Sequence, residues 1–299
     1  MPEELPQDRP LDPRWLERAV ASALSEDLGG DPGRDVTTQA TIRAAATVTG
    51  AVVAREHGVI CGLDAIAETL TQVSERFALP RPTLTLLTGD GDLVAEGQAV
   101  AELDGAGHAV LIAERTLLNL MSRASGIATH TRRWVDELDG TGARVLDTRK
   151  TTPGLRELEK YAVRCGGGTN KRMGLADCAM VKDNHIAAAG SVAGAIAAIA
   201  ARYPDVPIQV EVERWSQADE ALDAGARFLM LDNMPLDAMA DLVSRVRSRE
   251  ADAGKVWLEA TGGLTLATAR DVAATGVDFM SVGGLTHSSP ILDLALDLR

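Results

Sequence analysis

The sequence predicts an α/β protein in two parts: an N-terminal α/β sandwich, in which helices pack on an open sheet, and a C-terminal α/β barrel of parallel strands. Two observations favour this fold class. Helical and strand patterns are mixed up to about residue 125. Beyond it, short apolar runs recur and helical stretches separate the later ones, which is typical of β-α repeats that pair in parallel and close into a barrel related to the (β/α)8 type.

The first domain, residues 1–125, is expected to contain helices and short strands. A helix is predicted from Leu11 to Leu28, because Pro13 suits a first turn and Gly29-Gly30 stops a helix. The other predicted elements are a strand at 47–54, a strand at 59–61, a helix at 63–77, a strand at 83–88 and a short strand pair around Val94 and Val100. This mixture indicates an open sheet covered by helices.

A change in pattern marks the predicted domain boundary. Helical spacing runs from Val110 to Leu138, and Ser125-Gly126 is expected to divide it into two helices. The barrel domain is therefore predicted to span residues 126–286, followed by a tail, 287–299, that can pack back on the first domain.

Six apolar runs predict the barrel strands, and each run ends in charged residues or glycine. They are 143–150 (ARVLDTRK), 179–184 (AMVKDN), 208–213 (IQVEVE), 228–233 (FLMLDN), 256–263 (VWLEATGG) and 279–284 (FMSVGG). In such barrels the active site lies at the C-terminal ends of the strands. We therefore expect the polar ends of the six runs to surround one mouth of the barrel.

Composition excludes several kinds of partner and site. A net charge of −13 argues against nucleic acid or an anionic membrane as a partner, since both require a basic face. The three cysteines show no CxxC spacing, and neither a Walker-type loop nor a GxGxxG motif is present. The most apolar window, His185 to Arg202, is interpreted as a tightly packed amphipathic helix. An acidic, proline-rich N-terminus without a secretory pattern predicts a cytoplasmic protein.

Positive charge is nevertheless concentrated between residues 143 and 185. This stretch carries nine Lys or Arg against five Asp or Glu, although the whole chain is strongly acidic. It contains four of the five lysines in the chain, Lys150, Lys160, Lys171 and Lys182. A small polyanionic ligand is the natural interpretation.

The predicted mouth also offers groups that suit a phosphorylated substrate with a divalent metal. Glu211 and Asp232 would supply oxygen ligands to Mg²⁺, which takes carboxylates together with substrate phosphates and water. The amides of 261–263 and 281–284 would hold phosphate oxygens at the last two strands. Each feature has a structural alternative, because such a carboxylate can cap a helix and a glycine pair can form a tight turn. The convergence of six polar strand ends favours the functional interpretation.

Longer motifs extend over nearly the whole chain. They are Ser25-Glu26-Asp27, 35–38 (DVTT), 114–120 (ERTLLNL), 125–129 (SGIAT), 147–185 (which includes DTRKTTPGLR and KDNH), VEVE, LDNM, EATGG and SVGGLTHS. Together these motifs resemble the decarboxylating quinolinate phosphoribosyltransferases, also called nicotinate-nucleotide pyrophosphorylases. The strings DTRKTTPGLR and KDNH are long and uncommon, so they make the resemblance specific.

The resemblance implies a fold, an assembly and an activity. Members of the family have an N-terminal α/β sandwich and a C-terminal α/β barrel. They work as homodimers, in which the sandwich of one subunit faces the barrel mouth of the other, and a higher oligomer is left open. They transfer phosphoribosyl from phosphoribosyl pyrophosphate to quinolinate with decarboxylation, which gives nicotinate mononucleotide, pyrophosphate and CO₂ for NAD biosynthesis.

Cationic residues would hold quinolinate, according to the resemblance. Arg115 would come from the partner subunit and would act with Arg149, Arg172 and Lys182 on the two carboxylates. Where the family usually has His-Arg, this chain has Lys171-Arg172. Because lysine stays charged at neutral pH while histidine titrates near it, we expect Lys171 to neutralise substrate charge rather than to move a proton.

The resemblance assigns the second substrate to other residues. Lys150, Glu211 and Asp232 would hold the magnesium complex of phosphoribosyl pyrophosphate, with the two carboxylates as metal ligands. Together with Lys182, these three residues form the predicted catalytic set. The remaining predicted substrate-binding residues are Thr148, Thr261, Gly262, Gly263, Ser281, Val282, Gly283 and Gly284.

Two alternative functions remain open at this point. A nicotinate phosphoribosyltransferase is a related barrel whose substrate has one carboxylate, and the cluster of cations fits two carboxylates better. A non-catalytic, anion-binding paralogue associated with molybdate transport is the other alternative. The presence of Lys150, Lys182, Glu211 and Asp232 together counts against a lost activity.

Overall fold

A computed structural model describes residues 9–299, apart from the side chains of residues 252 and 253. Its helices are α1 (Pro13–Leu28), α2 (Val36–Thr41), α3 (Asp64–Arg76), α4 (Gly107–Glu137), α5 (Arg156–Cys165), α6 (Asp183–Ala189), α7 (Val192–Arg202), α8 (Trp215–Asp223), α9 (Leu236–Ala253), α10 (Ala269–Ala274) and α11 (Gly284–His287). Its strands are β1 (Thr47–Ala54), β2 (Gly58–Val59), β3 (Thr83–Leu86), β4 (Leu93–Val94), β5 (Ala99–Ala106), β6 (Arg144–Leu146), β7 (Ala179–Val181), β8 (Ile208–Val212), β9 (Phe228–Asp232), β10 (Trp257–Thr261), β11 (Phe279–Ser281) and β12 (Leu294–Leu298).

The chain forms two compact units. We call residues 9–132, Thr152–Gly167 and Ser288–Arg299 the sandwich unit, and we call Arg133–Thr151 with Gly168–His287 the barrel unit. The residues of α5 therefore belong to the sandwich unit, although they lie between β6 and β7 in the sequence.

An antiparallel sheet with the order β12-β1-β5-β3 organises the sandwich unit. The last strand of the chain covers one edge of β1, with Ala54 opposite Leu294 and Gly50 opposite Leu298. The other edge of β1 pairs with β5, also antiparallel, and the register of this pairing shifts between Val52 and Val53. The prediction of a sheet with helices in this half of the fold is confirmed.

The first helix shows how local sequence sets the elements of this unit. Asp12 caps α1, because its carboxylate accepts a hydrogen bond from the Arg14 amide, and Gly29 ends the helix at a φ of 70°. Leu16, Val20, Leu24 and Leu28 are buried, one on each successive turn. The helix thus begins two residues later than predicted, at the proline that follows its cap.

The predicted break between two helices at Ser125-Gly126 is wrong, because α4 runs without interruption from Gly107 to Glu137. Gly126 allows a close approach of another segment: a Cβ atom there would lie 2.0 Å from the Pro290 carbonyl oxygen. The Ser125 hydroxyl accepts a hydrogen bond from the Cys61 amide at 2.9 Å. Both residues therefore serve packing within the sandwich unit rather than ending a helix.

Six parallel strands build the barrel unit, in the order β6-β11-β10-β9-β8-β7. Neighbours follow the chain from β7 to β11, and the first strand, β6, lies beside the last, β11, as in an α/β barrel. A further parallel bridge joins Leu146 to Thr169. All six predicted apolar runs form strands, which confirms the predicted fold class.

One face of this sheet carries an apolar cluster, and polar residues lie on the same face. The cluster comprises Leu146, Phe228, Met230 and Phe279, and the rings of Phe228 and Phe279 stack with their centroids 6.0 Å apart. In the strand register, Met230 lies opposite Glu211 on one side and Glu259 on the other. Because paired residues of parallel strands share a face, these two carboxylates lie on the face of the apolar cluster.

The prediction of a single, tightly packed helix from His185 to Arg202 is also wrong. Gly190, with a φ of 85°, ends α6, and Ser191 caps α7 by accepting a hydrogen bond from the Gly194 amide. No residue of α6 is buried. Among the described residues, no single helix has the length and hydropathy needed to cross a bilayer; α6 and α7 meet that criterion only as a pair, with a bend of 87°.

Candidate active site at the carboxyl ends of the parallel strands

The structure brings the predicted site residues of the barrel unit to one end of its sheet. Asp232, Thr261 and Ser281 are the last residues of β9, β10 and β11, and Glu211 is the last but one of β8. Lys182 follows β7 directly. Thr148, Arg149 and Lys150 follow β6, and Gly262, Gly263, Val282, Gly283 and Gly284 follow β10 and β11. Parallel strands place all these residues at the same end of the sheet.

Two guanidinium groups lie close together there. Arg172 donates from Nη1 to the Cys178 carbonyl oxygen at 2.6 Å, and its buried Nε has no hydrogen-bond partner among the described residues. The pKa of Arg172 is lowered, first by burial and then by the like charge of Arg149. No carboxylate pairs with Arg172 in the described part of the chain. A half-buried cation beside a second cation favours the binding of an anion.

Asp147 holds the segment that carries Arg172. Its carboxylate is fully buried and accepts hydrogen bonds from Asn170 Nδ2 at 2.5 Å and from the Lys171 amide at 2.8 Å. The backbone of Thr169 also bonds to Val145 and Asp147. Sequence reasoning had not assigned this role to Asp147, although its place directly after a buried strand was a signal.

Lys171 is engaged within the barrel unit. Its ammonium group donates to both carboxylate oxygens of Glu259, at 2.6 and 2.7 Å, and lies 3.1 Å from the Met230 sulfur. The Glu259 side chain has no exposed surface and that of Lys171 is 8% exposed. Lys171 was predicted to bind substrate, and Glu259 had not been singled out at all.

Lys182 and Glu211 form a second ion pair at this end of the sheet. The Lys182 ammonium donates to Glu211 Oε2. The lysine side chain is 46% exposed, whereas that of the glutamate is 13% exposed. The Lys182 amide also donates to His185 Nδ1 at 3.1 Å, at the start of α6. A residue predicted to hold quinolinate is therefore paired directly with a predicted metal ligand.

The glycine after β10 is required by a close contact. A Cβ atom on Gly262 would lie 2.3 Å from the side-chain oxygen of Asn233, and the glycine has a φ of 86°. Asn233 itself has a φ of 50° and donates from Nδ2 to Asp232 at 2.9 Å. The glycine therefore forms a tight turn, which was the structural alternative for this residue. The same turn holds the carboxylate of Asp232, the predicted metal ligand, in place.

The segment after β11 packs against the segment after β6. A Cβ atom on Gly283 would lie 2.9 Å from Lys150 Cδ, 3.3 Å from His287 Nε2 and 3.4 Å from Thr148 Oγ1. Thr286 donates to the Lys150 carbonyl oxygen at 2.8 Å, and the Lys150 amide donates to Thr148 at 3.0 Å. The Lys150 ammonium itself forms no ion pair among the described residues. Sequence reasoning missed Thr286 and His287.

Two more buried polar atoms at the strands lack partners. The hydroxyl of Ser281 and the side-chain oxygen of Gln209 are buried and have no hydrogen-bond partner among the described residues. Gln209 lies two residues before Glu211 on β8, so both side chains share a face. Buried polar atoms are normally hydrogen-bonded, so these orphans suit a polar ligand.

The donor set also fits a hard divalent cation. Glu211 and Asp232 lie on the neighbouring strands β8 and β9, at the same end of the sheet. Both supply carboxylate oxygen, which is the ligand that Mg²⁺ prefers. The described residues that could hold a metal through sulfur, Cys61 and Cys165 with Asp90, lie in the sandwich unit. There, Asp90 already accepts hydrogen bonds from the amides of Gly62 and Leu63 and from the Tyr161 hydroxyl.

Arg115 lies in the other unit. It is exposed on α4, one turn before the exposed Asn119, and it has no ion pair among the described residues. Its role in binding quinolinate stays a prediction.

Known proteins match the chain along almost its full length. Residues 35–125 match the family model "Quinolinate phosphoribosyl transferase, N-terminal domain", and residues 127–297 match its C-terminal domain. Nicotinate-nucleotide pyrophosphorylase (carboxylating) of Mycobacterium leprae is 46% identical, over 93% of this chain and 95% of that protein. The solved structure of NadC from Streptococcus pyogenes has a TM-score of 0.89 at 35% identity, covering 98% of this chain and 99% of that one.

A more distant match has a different substrate in its name. Human nicotinic acid phosphoribosyltransferase has a TM-score of 0.64 at 15% identity, over 94% of this chain and 73% of that one. This likeness shows a shared fold alone.

Proposed function

Because this chain belongs to the quinolinate phosphoribosyl transferase family, we propose that it transfers phosphoribosyl from phosphoribosyl pyrophosphate to quinolinate with decarboxylation. The products are nicotinate mononucleotide, pyrophosphate and CO₂, and the reaction belongs to de novo NAD biosynthesis. The relatives with high identity carry names of this activity, and neither alternative function is favoured by them. The chain is therefore a pentosyltransferase.

One observation carries the assignment of the site. At the carboxyl ends of the barrel strands, half-buried Arg172 has no carboxylate partner among the described residues and faces the like charge of Arg149. Two adjacent carboxylates, as in quinolinate, would supply the missing charge. Planar guanidinium groups match carboxylates with two parallel hydrogen bonds, which explains why arginine suits this position. Each carboxylate must leave water to enter, so fixed cations are needed to offset its desolvation.

Other residues of the same end would bind phosphoribosyl pyrophosphate. Glu211 and Asp232 would hold its Mg²⁺, and Lys150, which has no ion pair among the described residues, would contact its phosphates. When bound, the metal neutralises charge that develops on the leaving pyrophosphate. The carboxylate that remains closest to the ribose would stabilise positive charge on it electrostatically.

Chemistry at the pyridine ring follows from positioning. With both carboxylates held, the ring nitrogen is directed at the anomeric carbon, and a new carbon–nitrogen bond forms as the bond to pyrophosphate breaks. The positively charged nitrogen then stabilises the electron pair left on the 2-carbon when CO₂ departs, and a proton from water takes the place of the lost carboxylate. The protein orients the ring and excludes water, while the substrate itself supplies the electron sink.

We also propose a homodimer in which Arg115 acts in the partner's site. Its support is the exposure of Arg115 and its lack of an ion pair among the described residues. Mixing and refolding R115A with R172A tests this. If the site is shared, the mixture should regain about a quarter of the wild-type rate, since half of randomly paired dimers are mixed and each holds one intact site. No recovery would place Arg115 in its own subunit's site, and a wild-type rate of R115A alone would place it outside any site. The expected cytoplasmic location stays a prediction.

Turnover with defined substrates tests the activity. Purified protein with Mg²⁺, phosphoribosyl pyrophosphate and carboxyl-labelled quinolinate should release labelled CO₂ and form nicotinate mononucleotide. With nicotinate in place of quinolinate, the rate should fall to background. Efficient use of nicotinate without CO₂ release would reverse the assignment, and no turnover with either would support a non-catalytic anion-binding protein.

A further inference from the structure

The ion pair between Lys171 and Glu259 demands a reason for its position. Both side chains are buried, and the ammonium bonds to both oxygens of the carboxylate at 2.6 and 2.7 Å. Removing two charges from water costs free energy that their attraction only partly offsets, so a buried pair is weak evidence of a contribution to stability. A role in holding a geometry is a better-supported use of such a pair.

The pair connects two parts of the barrel sheet. Glu259 is the third residue of β10, in register with Met230 of β9 and Phe279 of β11. Lys171 lies two residues after Thr169, which bridges to β6. The lysine side chain therefore runs from the β6 side of the unit to the middle of the sheet, where the Met230 sulfur also contacts its ammonium.

Arg172 is the next residue, and it is under strain from charge. Burial, and after it the like charge of Arg149, lowers the pKa of Arg172, so the two guanidinium groups repel each other. Among the described residues, one hydrogen bond, to the Cys178 carbonyl oxygen, holds the Arg172 side chain. Its backbone, by contrast, follows two anchors: Asp147 fixes the Lys171 amide, and Glu259 fixes the Lys171 side chain. The two anchors fix the backbone next to Arg172, and this fixed backbone keeps Arg172 in place against repulsion by Arg149.

We propose that Lys171 and Glu259 are a positioning pair, which holds Arg172 beside Arg149 for binding of quinolinate, and that Lys171 does not itself contact the substrate. This inference rests on the proposed function. It changes the role expected for Lys171, because a lysine whose ammonium satisfies a buried carboxylate has its charge neutralised before any substrate arrives. It also gives Glu259, which is remote from Arg172 in sequence, a part in substrate affinity.

A double-mutant cycle distinguishes positioning from direct contact. We expect K171M and E259Q each to weaken quinolinate binding, measured by titration calorimetry, by about tenfold to a hundredfold, as for a misplaced binding group. The double variant K171M/E259Q should bind no more weakly than the worse single variant, because one device has been removed. If Lys171 contacts quinolinate, E259Q releases its ammonium and binding should be unchanged or tighter. That outcome would overturn the proposal.

Two milder variants keep the test valid if a buried charge left alone prevents folding. K171R and E259D preserve both charges but change the length of the connection. Positioning predicts weaker quinolinate binding in both, with the KM for quinolinate raised more than the KM for phosphoribosyl pyrophosphate. Wild-type affinity in E259D, with a normal melting temperature, would contradict it.

Asp278 provides a matched control in the same unit. It directly precedes β11, at the opposite end of the sheet, and accepts from Arg247, Lys255 and the Leu258 amide. D278N should lower the melting temperature and leave quinolinate affinity within twofold of wild type. The two failures are separable: absence of CO₂ release by the wild type defeats the proposed function, whereas normal turnover with wild-type affinity in E259Q defeats the positioning pair alone.

Discussion

The two ends of the barrel unit's sheet differ in the pairing of one arginine each, Arg247 at the amino ends and Arg172 at the carboxyl ends. At the amino ends of the strands, Arg247 pairs with Glu250 at 2.7 Å and with Asp278 at 2.8 Å, and Lys255 pairs with Asp278 at 2.9 Å. At the carboxyl ends, Arg172 has no carboxylate partner among the described residues and is repelled by Arg149.

This difference separates stabilisation from binding within one sheet. Where cations and carboxylates are matched, the charges hold loops and helix ends together and leave nothing for a ligand to satisfy. Where a half-buried cation such as Arg172 has no carboxylate partner among the described residues, folding costs free energy that a bound anionic ligand can offset. The comparison agrees with the general division of α/β barrels into a stabilising amino end and a functional carboxyl end.

The largest effect is expected when a cation is removed from the carboxyl ends of the barrel strands. R172A and R149A should each weaken quinolinate binding by about 2 to 5 kcal/mol, since a buried substrate carboxylate would lose its partner. Titration calorimetry measures this. The melting temperature of R172A should stay the same or rise, because this variant relieves repulsion between the two guanidinium groups. Unchanged affinity in both variants would remove these arginines from the site.

The carboxylates of the same end should respond differently. E211Q and D232N are expected to raise the Mg²⁺ concentration for half-maximal rate by at least about tenfold, because each removes a charged oxygen ligand. Calorimetric binding of quinolinate alone should change less in D232N than in E211Q, whose Lys182 partner is released. A normal magnesium dependence in both variants would end the metal assignment.

Substitutions at the amino ends of the strands should lower stability and leave catalysis unchanged. R247A is expected to lower the free energy of unfolding by about 1 to 3 kcal/mol, because Glu250 and Asp278 lose a charged hydrogen-bond donor. Denaturant titration at pH 7 measures it. Values of KM for both substrates should match those of the wild type, and a selective rise in one of them would break the division between the two ends.

The smallest effect concerns acid. Burial acts to raise the pKa of Glu250, yet that pKa is lowered overall from its ordinary value of 4.5, because the Val256 amide, Arg247 and Lys255 favour the charged form. Because the pKa of Glu250 is lower in the folded protein than in the unfolded chain, its charge stabilises the fold at any pH above the unfolded-state pKa. This stabilisation is lost as the pH falls through the folded-state pKa. E250Q should therefore be less stable than wild type at pH 7, with the difference shrinking in acid below the ordinary pKa of 4.5. A difference that persists there would exclude this mechanism.

The sequence predicted those features of the barrel unit that depend on the residues of a single strand. Apolar runs that end in polar residues predicted all six barrel strands and the end at which Glu211, Asp232 and Lys182 lie. It was uninformative where distant segments meet. The partner of Lys171 depends on strand register, which brings Glu259 opposite Met230, and no local pattern encodes that register.

Glycines show the same limit. The sequence predicts a helix break at Ser125-Gly126, because a glycine in helical spacing usually weakens a helix. Its actual requirement comes from the Pro290–Ile291 backbone, which approaches too closely for any side chain. Gly190, in contrast, does end α6, since its left-handed conformation is a local property of the chain.

The pairing of β12 with β1 has a consequence for biosynthesis. As the ribosome makes the chain, β1 appears before the barrel unit, but the strand that covers its outer edge is made only after that unit. Until then, the backbone donors and acceptors along that edge remain open to any other extended polypeptide. The nascent sandwich therefore stays incomplete, and exposed to aggregation, throughout synthesis of the catalytic barrel.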